Sequence, residues 1–157
     1  MPQTILAPTI VLVLWSMVML LWMAATRFPA IAKSGVDPKS FPDGSRGRDL
    51  EAILPPSVSW KAHNFEHLME QPTIFYATVF VLVAIGEGTG LNATLAWAYC
   101  LIRIVHSIWQ ATVNKVVPVR IGLFVASSMC LMVLVSRISG FTQTSFMYVP
   151  LLLLAVV

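Results

Sequence analysis

Residues 5–25 form an uninterrupted run of 21 positions that contains no charged side chain. An α-helix needs about 20 residues to cross the hydrocarbon core of a bilayer. The run exceeds the apolar region of about 7–15 residues found in signal peptides, which also begin with basic residues. No basic residue precedes Ile5 in this chain. We therefore predict a retained first membrane span over about residues 5–26.

The composition agrees with a membrane protein of one domain. Of the 157 residues, 57% are hydrophobic and only 11% are charged, whereas about 25% of the residues in a soluble domain are charged. A net charge of +3 gives no indication of a nucleic-acid partner, and the basic loop residues are better explained as determinants of membrane orientation. The length predicts a single domain over residues 1–157.

Further apolar stretches predict an all-α, polytopic membrane helix bundle with spans at about residues 62–86, 91–113 and 118–138. A polar loop rich in proline and glycine, residues 27–58, separates the first two spans. The apolar tail at residues 146–157 is too short for a span. We expect this tail to lie in the interface or to pack on the bundle.

The basic residues predict the orientation of the bundle. Residues 27–58 contain five lysines or arginines, and Lys115 lies between the third and fourth spans. The N-terminal end and the turn at residues 86–90 contain none. Because basic loops remain in the cytoplasm, both termini are expected outside.

The segment WKAHNFEHLMEQP (60–72) places ionisable side chains at the start of the second span. Within one helix, His63, Glu66, His67 and Glu70 have the i, i+3, i+4, i+7 spacing of a shared face. Asn64 lies beside that face, about 100° further round the helix. The spacing therefore predicts a polar stripe on the second helix.

The third span repeats this spacing with Arg103, His106, Ser107 and Gln110. A charged side chain at the bilayer centre costs about 2.5–3.5 kcal/mol on insertion scales, so such residues face the bundle interior or a wet cavity. Two interpretations are open. Arg103 pairs with Glu70 or Glu66 as an internal staple, or both stripes line a polar pocket that opens toward the cytoplasm.

Two further features each have two interpretations. Arg120, which follows Pro118, either anchors the helix end at the interface or points into the pocket as the partner of an anion or thiolate. His63 and His67, with Glu70, have a spacing used in helical zinc sites, but no HExxH motif is present. We therefore expect hydrogen-bonded histidines and no metal.

These blocks resemble the MAPEG family, the membrane-associated proteins in eicosanoid and glutathione metabolism, in a divergent bacterial-type form. The resemblance covers about residues 60–137, with general agreement of layout elsewhere. HNFEHLMEQPTIFYATVFVLVAIGEG looks like the second-helix block, with Glu70 in the glutamate position. RIVHSIWQ resembles the third-helix block, with Arg103 and His106 matching. PVRIGLF places Arg120 in the position that family members use beside the glutathione sulfur.

The chain also departs from the family pattern. When it is aligned without a gap on Glu70, the family's asparagine position falls on His67 and its basic position on His63. A short shift makes Asn64 and Lys61 the counterparts instead. The family's third-helix tyrosine, a hydroxyl donor to the thiolate, is replaced by Gln110.

The resemblance implies a left-handed four-helix bundle that assembles as a homotrimer in the bilayer, here the bacterial inner membrane. It implies glutathione sites between subunits near the cytoplasmic side, with lipophilic small-molecule substrates entering from the lipid. The implied activity is that of a glutathione-dependent transferase or peroxidase in which Arg120 stabilises the thiolate. The residues expected to bind glutathione are Arg103, His106, Gln110, Glu70, His67, His63 and Asn64.

A second hypothesis is a non-catalytic membrane scaffold or lipid-binding protein on the same fold. Gln110 favours this hypothesis, because an amide replaces the hydroxyl that the family places near the thiolate. The sequence leaves the identity of the electrophile or lipid open.

Overall fold

The computed structural model describes the backbone of residues 4–37 and 41–154, and the side chains of residues 4–37 and 41–140. The described residues form four long α-helices: α1 (Leu6–Ser34), α2 (Pro56–Ala84), α3 (Gly90–Thr112) and α4 (Ile121–Leu154). A 3₁₀ helix, Gly47–Ala52, precedes α2, and a π-helical turn, Val116–Arg120, precedes α4. The protein is therefore an all-helical bundle.

Helix α1 runs well past the predicted span end near residue 26, so the polar loop is shorter than expected. Pro29 lies inside the helix and does not end it. The helix ends instead at Gly35, whose φ of 69° is left-handed. Glycine is the residue that most readily adopts this conformation after the last helical turn. Sequence reasoning gave too much weight to Arg27 and Pro29.

Helix α2 also begins earlier than the predicted start near residue 62. Pro56 occupies its first turn, where proline costs little because the missing N–H has no intrahelical partner there. The polar segment that precedes the apolar run is therefore helical, as the spacing argument for the stripe requires.

Helix α4 continues through the region predicted as a separate tail. Gly140 lies within the helix, which extends to Leu154. Glycine inside a helix costs about 1 kcal/mol relative to alanine, which weakens a helix without ending it. The last three positions of the predicted tail, 155–157, lie outside the described residues.

Helix α3 lies at the centre of the bundle and packs against each of the other three helices. Small residues on it, Ala93, Ala96 and Ala111, are buried and allow close approach of the neighbouring backbones. The fully buried rings of Phe75 and Tyr99 stack with centroids 4.4 Å apart. These contacts fix how the polar stripes of α2 and α3 face each other.

Three of the described helical segments are long and apolar enough to cross a membrane: Leu6–Ser34, Gly90–Thr112 and Val116–Gly140. The most apolar parts of the first and third have only 22% and 17% of their residues buried within the chain. Their outer faces are therefore available to lipid or to other protein chains. Helix α2 does not join this set because its first half carries the charged stripe.

The two ends of the bundle differ in polarity. At one end, the backbone N–H of Ile5 donates to the Gly88 carbonyl at 3.0 Å, which ties the start of α1 to the α2–α3 turn. The opposite end contains the α1–α2 connection and the α3–α4 connection, which hold the basic loop residues.

Candidate functional site

A cavity of about 350 Å³ opens at the basic end of the bundle. Its wall combines three acidic residues, two arginines, two histidines and one amide. The lining residues are Arg48, Glu51, His63, Glu66, His67, Glu70, Gln110 and Arg120.

The whole polar stripe of α2 lines this cavity. His63, Glu66, His67 and Glu70 all belong to its wall, as their shared helical face predicts. The spacing argument therefore located one side of the cavity correctly.

A segment from the α1–α2 connection covers part of the same stripe. We call the 3₁₀ helix Gly47–Ala52 the strap. From the strap, Arg48 donates from Nη2 to Glu66 Oε2 at 2.8 Å, and Glu51 Oε1 lies 2.7 Å from His63 Nε2. The hydrogen bond and the charge of Glu66 raise the pKa of Arg48 above its ordinary value. One ion pair and one histidine–carboxylate contact thus join the strap to α2 at the cavity.

Arg103 lies beneath the cavity wall rather than in it. Its side chain is 0% exposed and donates from Nη2 to the His67 carbonyl at 2.9 Å. Pro72 lies inside α2, and a proline removes an intrahelical hydrogen bond from the preceding turn. The N–H that Pro72 lacks would have bonded the Leu68 carbonyl, one residue after the carbonyl that Arg103 contacts.

His67 separates the two charges that were expected to pair directly. Arg103 Nη1 lies 3.4 Å from His67 Nε2, and His67 Nδ1 lies 3.0 Å from Glu70 Oε2. Because arginine only donates, Nε2 accepts, and Nδ1–H donates to the carboxylate. Of the two open interpretations, the direct staple between Arg103 and Glu70 or Glu66 is not the arrangement found: the imidazole lies between the first two, and Glu66 pairs with Arg48.

The stripe of α3 contributes one residue to the wall and two behind it. Gln110 lines the cavity although its side chain is almost fully buried. Its Oε1 atom is buried and has no hydrogen-bond partner among the described residues. His106 lies behind the wall with its ring centroid 5.1 Å from that of His67. Direct ligand contact was predicted for Arg103 and His106; in the single chain both lie behind the wall, next to His67, and the prediction of ligand contact stays a prediction.

Arg120 lines the cavity from the α3–α4 connection. It is the last residue of the π-helical turn, and its Nη1 donates to Asn114 Oδ1 at 3.0 Å. Of the two interpretations left open by the sequence, the structure therefore favours the one in which this arginine points into the pocket.

The arrangement of α2 and α3 around one polar cavity can be compared with known protein families. The model of the MAPEG family matches residues 5–140, which is most of the chain. The protein belongs to the MAPEG family. Neither the curated proteins nor the solved structures gave a match. The family and the apolar helices together make the chain a multi-pass membrane protein.

The two alignments of α2 with the MAPEG pattern select residues that lie in different places. Asn64 points away from the cavity and donates from Nδ2 to Ser107 Oγ at 2.7 Å, and Trp15 Nε1 donates to the same hydroxyl at 3.0 Å. Lys61 donates to the Ser57 carbonyl at 2.6 Å. The residues of the ungapped alignment, His63 and His67, line the cavity, whereas Asn64 joins α2 to α3 beside Trp15 of α1; its predicted contact with a ligand stays a prediction.

The described residues contain no group of three or more His, Cys, Asp or Glu side chains placed to hold a metal ion. The two ring nitrogens of His67 are already occupied by Glu70 and Arg103. This MAPEG cavity is therefore built from hydrogen bonds and ion pairs.

Sequence reasoning missed the strap residues. The sequence places Arg48 and Glu51 in the polar loop 27–58, but both line the cavity. Their spacing of three residues, with opposite signs, was the available signal. It was not sufficient, because nothing in the sequence gives the distance between the loop and α2.

Proposed function

We propose that this MAPEG protein is a glutathione-dependent transferase or peroxidase that acts on lipophilic electrophiles. The observation that carries the proposal is one cavity with a cation, a carboxylate and an unpartnered acceptor on its wall: Arg120, Glu70 and Gln110. This set complements a small zwitterion that also contains peptide N–H groups.

The cavity is suitable for glutathione in both size and chemistry. Its volume of about 350 Å³ falls within the range of about 300–1,000 Å³ for small-molecule sites. Glu70, with its side chain 65% exposed, would receive the ammonium group. The buried Oε1 of Gln110 would accept a hydrogen bond from a peptide N–H, and His63 and His67 would complete the polar contacts.

When bound, glutathione would supply a thiol whose deprotonated sulfur attacks an electrophilic carbon, while the leaving group departs with its bonding electron pair. Arg120 is the residue that holds the sulfur in its charged form, because a nearby guanidinium favours a thiolate over a thiol. The cavity walls hold the tripeptide in position, and proximity provides much of the remaining rate enhancement.

The apolar outer faces of α1 and α4 support the other part of the proposal. Leu14, Leu21 and Met132 on these faces are more than half exposed in the single chain. A homotrimer in the bilayer would cover part of this surface and leave the remainder to lipid. Lipophilic substrates would reach the cavity from that lipid. By the positive-inside rule, the basic connections at the cavity end would face the cytoplasm.

Replacing the arginine on the cavity wall tests the proposal. Arg120→Ala should lower the rate of conjugation of glutathione to a hydrophobic electrophile by about 10²–10³-fold, the usual loss when a preorganised charge stabiliser is removed. The mass of the detergent-extracted trimer should be unchanged. Arg137→Ala, an exposed position in α4, is the charge-matched control. Full activity of the Arg120 variant would refute the assignment.

Gln110 also supports a second candidate, a membrane scaffold or lipid-binding protein. An amide in place of the family's tyrosine removes the hydroxyl donor to a thiolate. This candidate predicts copurified lipid at the cavity and no glutathione conjugation by the wild-type protein. Native mass spectrometry together with the conjugation assay separates the two candidates.

A further inference from the structure

In the connection between α3 and α4, hydrogen bonds fix the conformation of both the backbone and the side chain of Asn114. Asn114 has a φ of 53°, in the left-handed region that asparagine tolerates better than most residues. Its backbone N–H donates to the Trp109 carbonyl at 2.8 Å. The indole Nε1 of Trp109 donates in turn to the Lys115 carbonyl at 2.9 Å. The position of Asn114 at the end of α3 is therefore fixed from both sides.

The side chain of Asn114 is directed at the cavity arginine. Its Oδ1 accepts a hydrogen bond from Arg120 Nη1 at 3.0 Å, and the pair is partly buried. An arginine side chain has about 2 kcal/mol of rotamer entropy when free. A fixed acceptor on one nitrogen therefore limits the directions in which the guanidinium can point.

The amide of Asn114 is uncharged, so it does not neutralise the guanidinium of Arg120. Among the described residues, the salt bridges involve Arg48, His63 and His67, and none involves Arg120. An amide oxygen orients a guanidinium without supplying a counter-charge, whereas a carboxylate would neutralise it. The full positive charge of Arg120 thus remains available to an anion in the cavity.

We propose that Asn114 is a positioning residue that directs Arg120 into the cavity and leaves its charge uncompensated for the glutathione sulfur. This inference rests on the proposed function of Arg120. It makes the stabilisation of the thiolate depend on a residue that lies outside the cavity wall.

Two substitutions separate this role from a purely structural one. Asn114→Gly keeps the left-handed backbone, because glycine adopts positive φ without penalty, and removes only the acceptor. Asn114→Asp keeps an acceptor oxygen and adds a negative charge. A residue needed only for the turn would tolerate both changes.

Two quantities are measured on the full-length protein in detergent. Ultraviolet absorbance gives the pH dependence of thiolate formation by bound glutathione, and steady-state kinetics give kcat and KM for conjugation. Asn114→Gly should lower kcat about tenfold with a smaller change in KM, since one charge-assisted hydrogen bond is lost. Asn114→Asp should raise the pKa of the bound thiol by about one unit or more, because the added carboxylate compensates Arg120. The control is Lys115→Ala, in the same connection and outside the cavity wall.

The outcomes distinguish this inference from the proposal beneath it. If the wild-type protein conjugates glutathione and Arg120→Ala does not, the proposed function stands. If both Asn114 variants then show the same pH profile and kcat as the wild-type protein, the positioning role alone is overturned. If the wild-type protein forms no thiolate and conjugates no glutathione, both the function and the inference are wrong.

Discussion

His67 holds two residues of opposite charge in one hydrogen-bonded row, from Arg103 through the imidazole to Glu70. The helical spacing predicted that all three residues would lie near one another. It did not predict which of them lies in the middle, because that depends on the rotation of α2 against α3. The row fixes one oxygen of Glu70 and leaves the other for a ligand.

At the same scale, Gln110 has a buried acceptor atom, Oε1, that forms no hydrogen bond within the described part of the chain. Leaving such an atom unpaired costs about 1–3 kcal/mol. Gln110→Met should therefore leave the thermal stability unchanged or raise it. The same substitution should weaken glutathione binding about tenfold, because a hydrogen bond to the ligand is lost. Calorimetric titration and a thermal melt of the variant check both parts.

Gln71→Met is the matched control for this prediction. Gln71 donates to Ser128 Oγ at 2.7 Å and does not line the cavity. Its replacement should lower the stability and leave the affinity for glutathione unchanged. An unchanged affinity in the Gln110 variant would exclude the proposed contact with the ligand.

At the scale of elements, the polar stripes were predictable and the helix boundaries were not. Spacings of three and four residues determine a helical face whatever surrounds it. The ends of α1 and α4 depend instead on whether proline or glycine is tolerated in context, as at Pro29 and Gly140. The burial of Asn64 and the placement of the strap required tertiary contacts that the sequence does not state.

The strap is expected to open more often when its contacts with α2 are removed. The ion pair between Arg48 and Glu66 is largely exposed, with side-chain exposures of 70% and 41%, and exposed pairs contribute only about 0–1 kcal/mol. The His63–Glu51 contact is more sheltered, with side-chain exposures of 38% and 35%, and Glu51→Gln keeps an acceptor oxygen for the imidazole. The double variant Arg48→Ala, Glu51→Gln should therefore retain its melting temperature. Amide exchange in residues 47–52 should become faster, and the KM for glutathione should rise several-fold.

Hydrogen exchange followed by mass spectrometry measures this opening, and Asp43→Ala in the same connection serves as the control. Unchanged exchange in the double variant would show that other contacts hold the strap. The hydrogen bond from Arg27 to the Gly47 carbonyl would then be the first contact to test.

At the scale of the whole molecule, polar chemistry is concentrated at one end of an apolar bundle. Arg103 is fully buried, its Nε atom has no hydrogen-bond partner, and no described carboxylate forms a salt bridge with it. Such a charge in a membrane protein is costly unless it serves a wet or ligand-filled site. An anionic ligand in the cavity above it would offset that cost.

Calorimetric titration of the detergent-solubilised wild-type protein with glutathione tests this account most directly. We expect saturable binding that weakens as salt is added, because charged groups provide the contacts. We also expect the affinity to fall at least tenfold in Arg120→Ala. The absence of any saturable heat at millimolar glutathione, from protein that retains its helical content, would contradict this account.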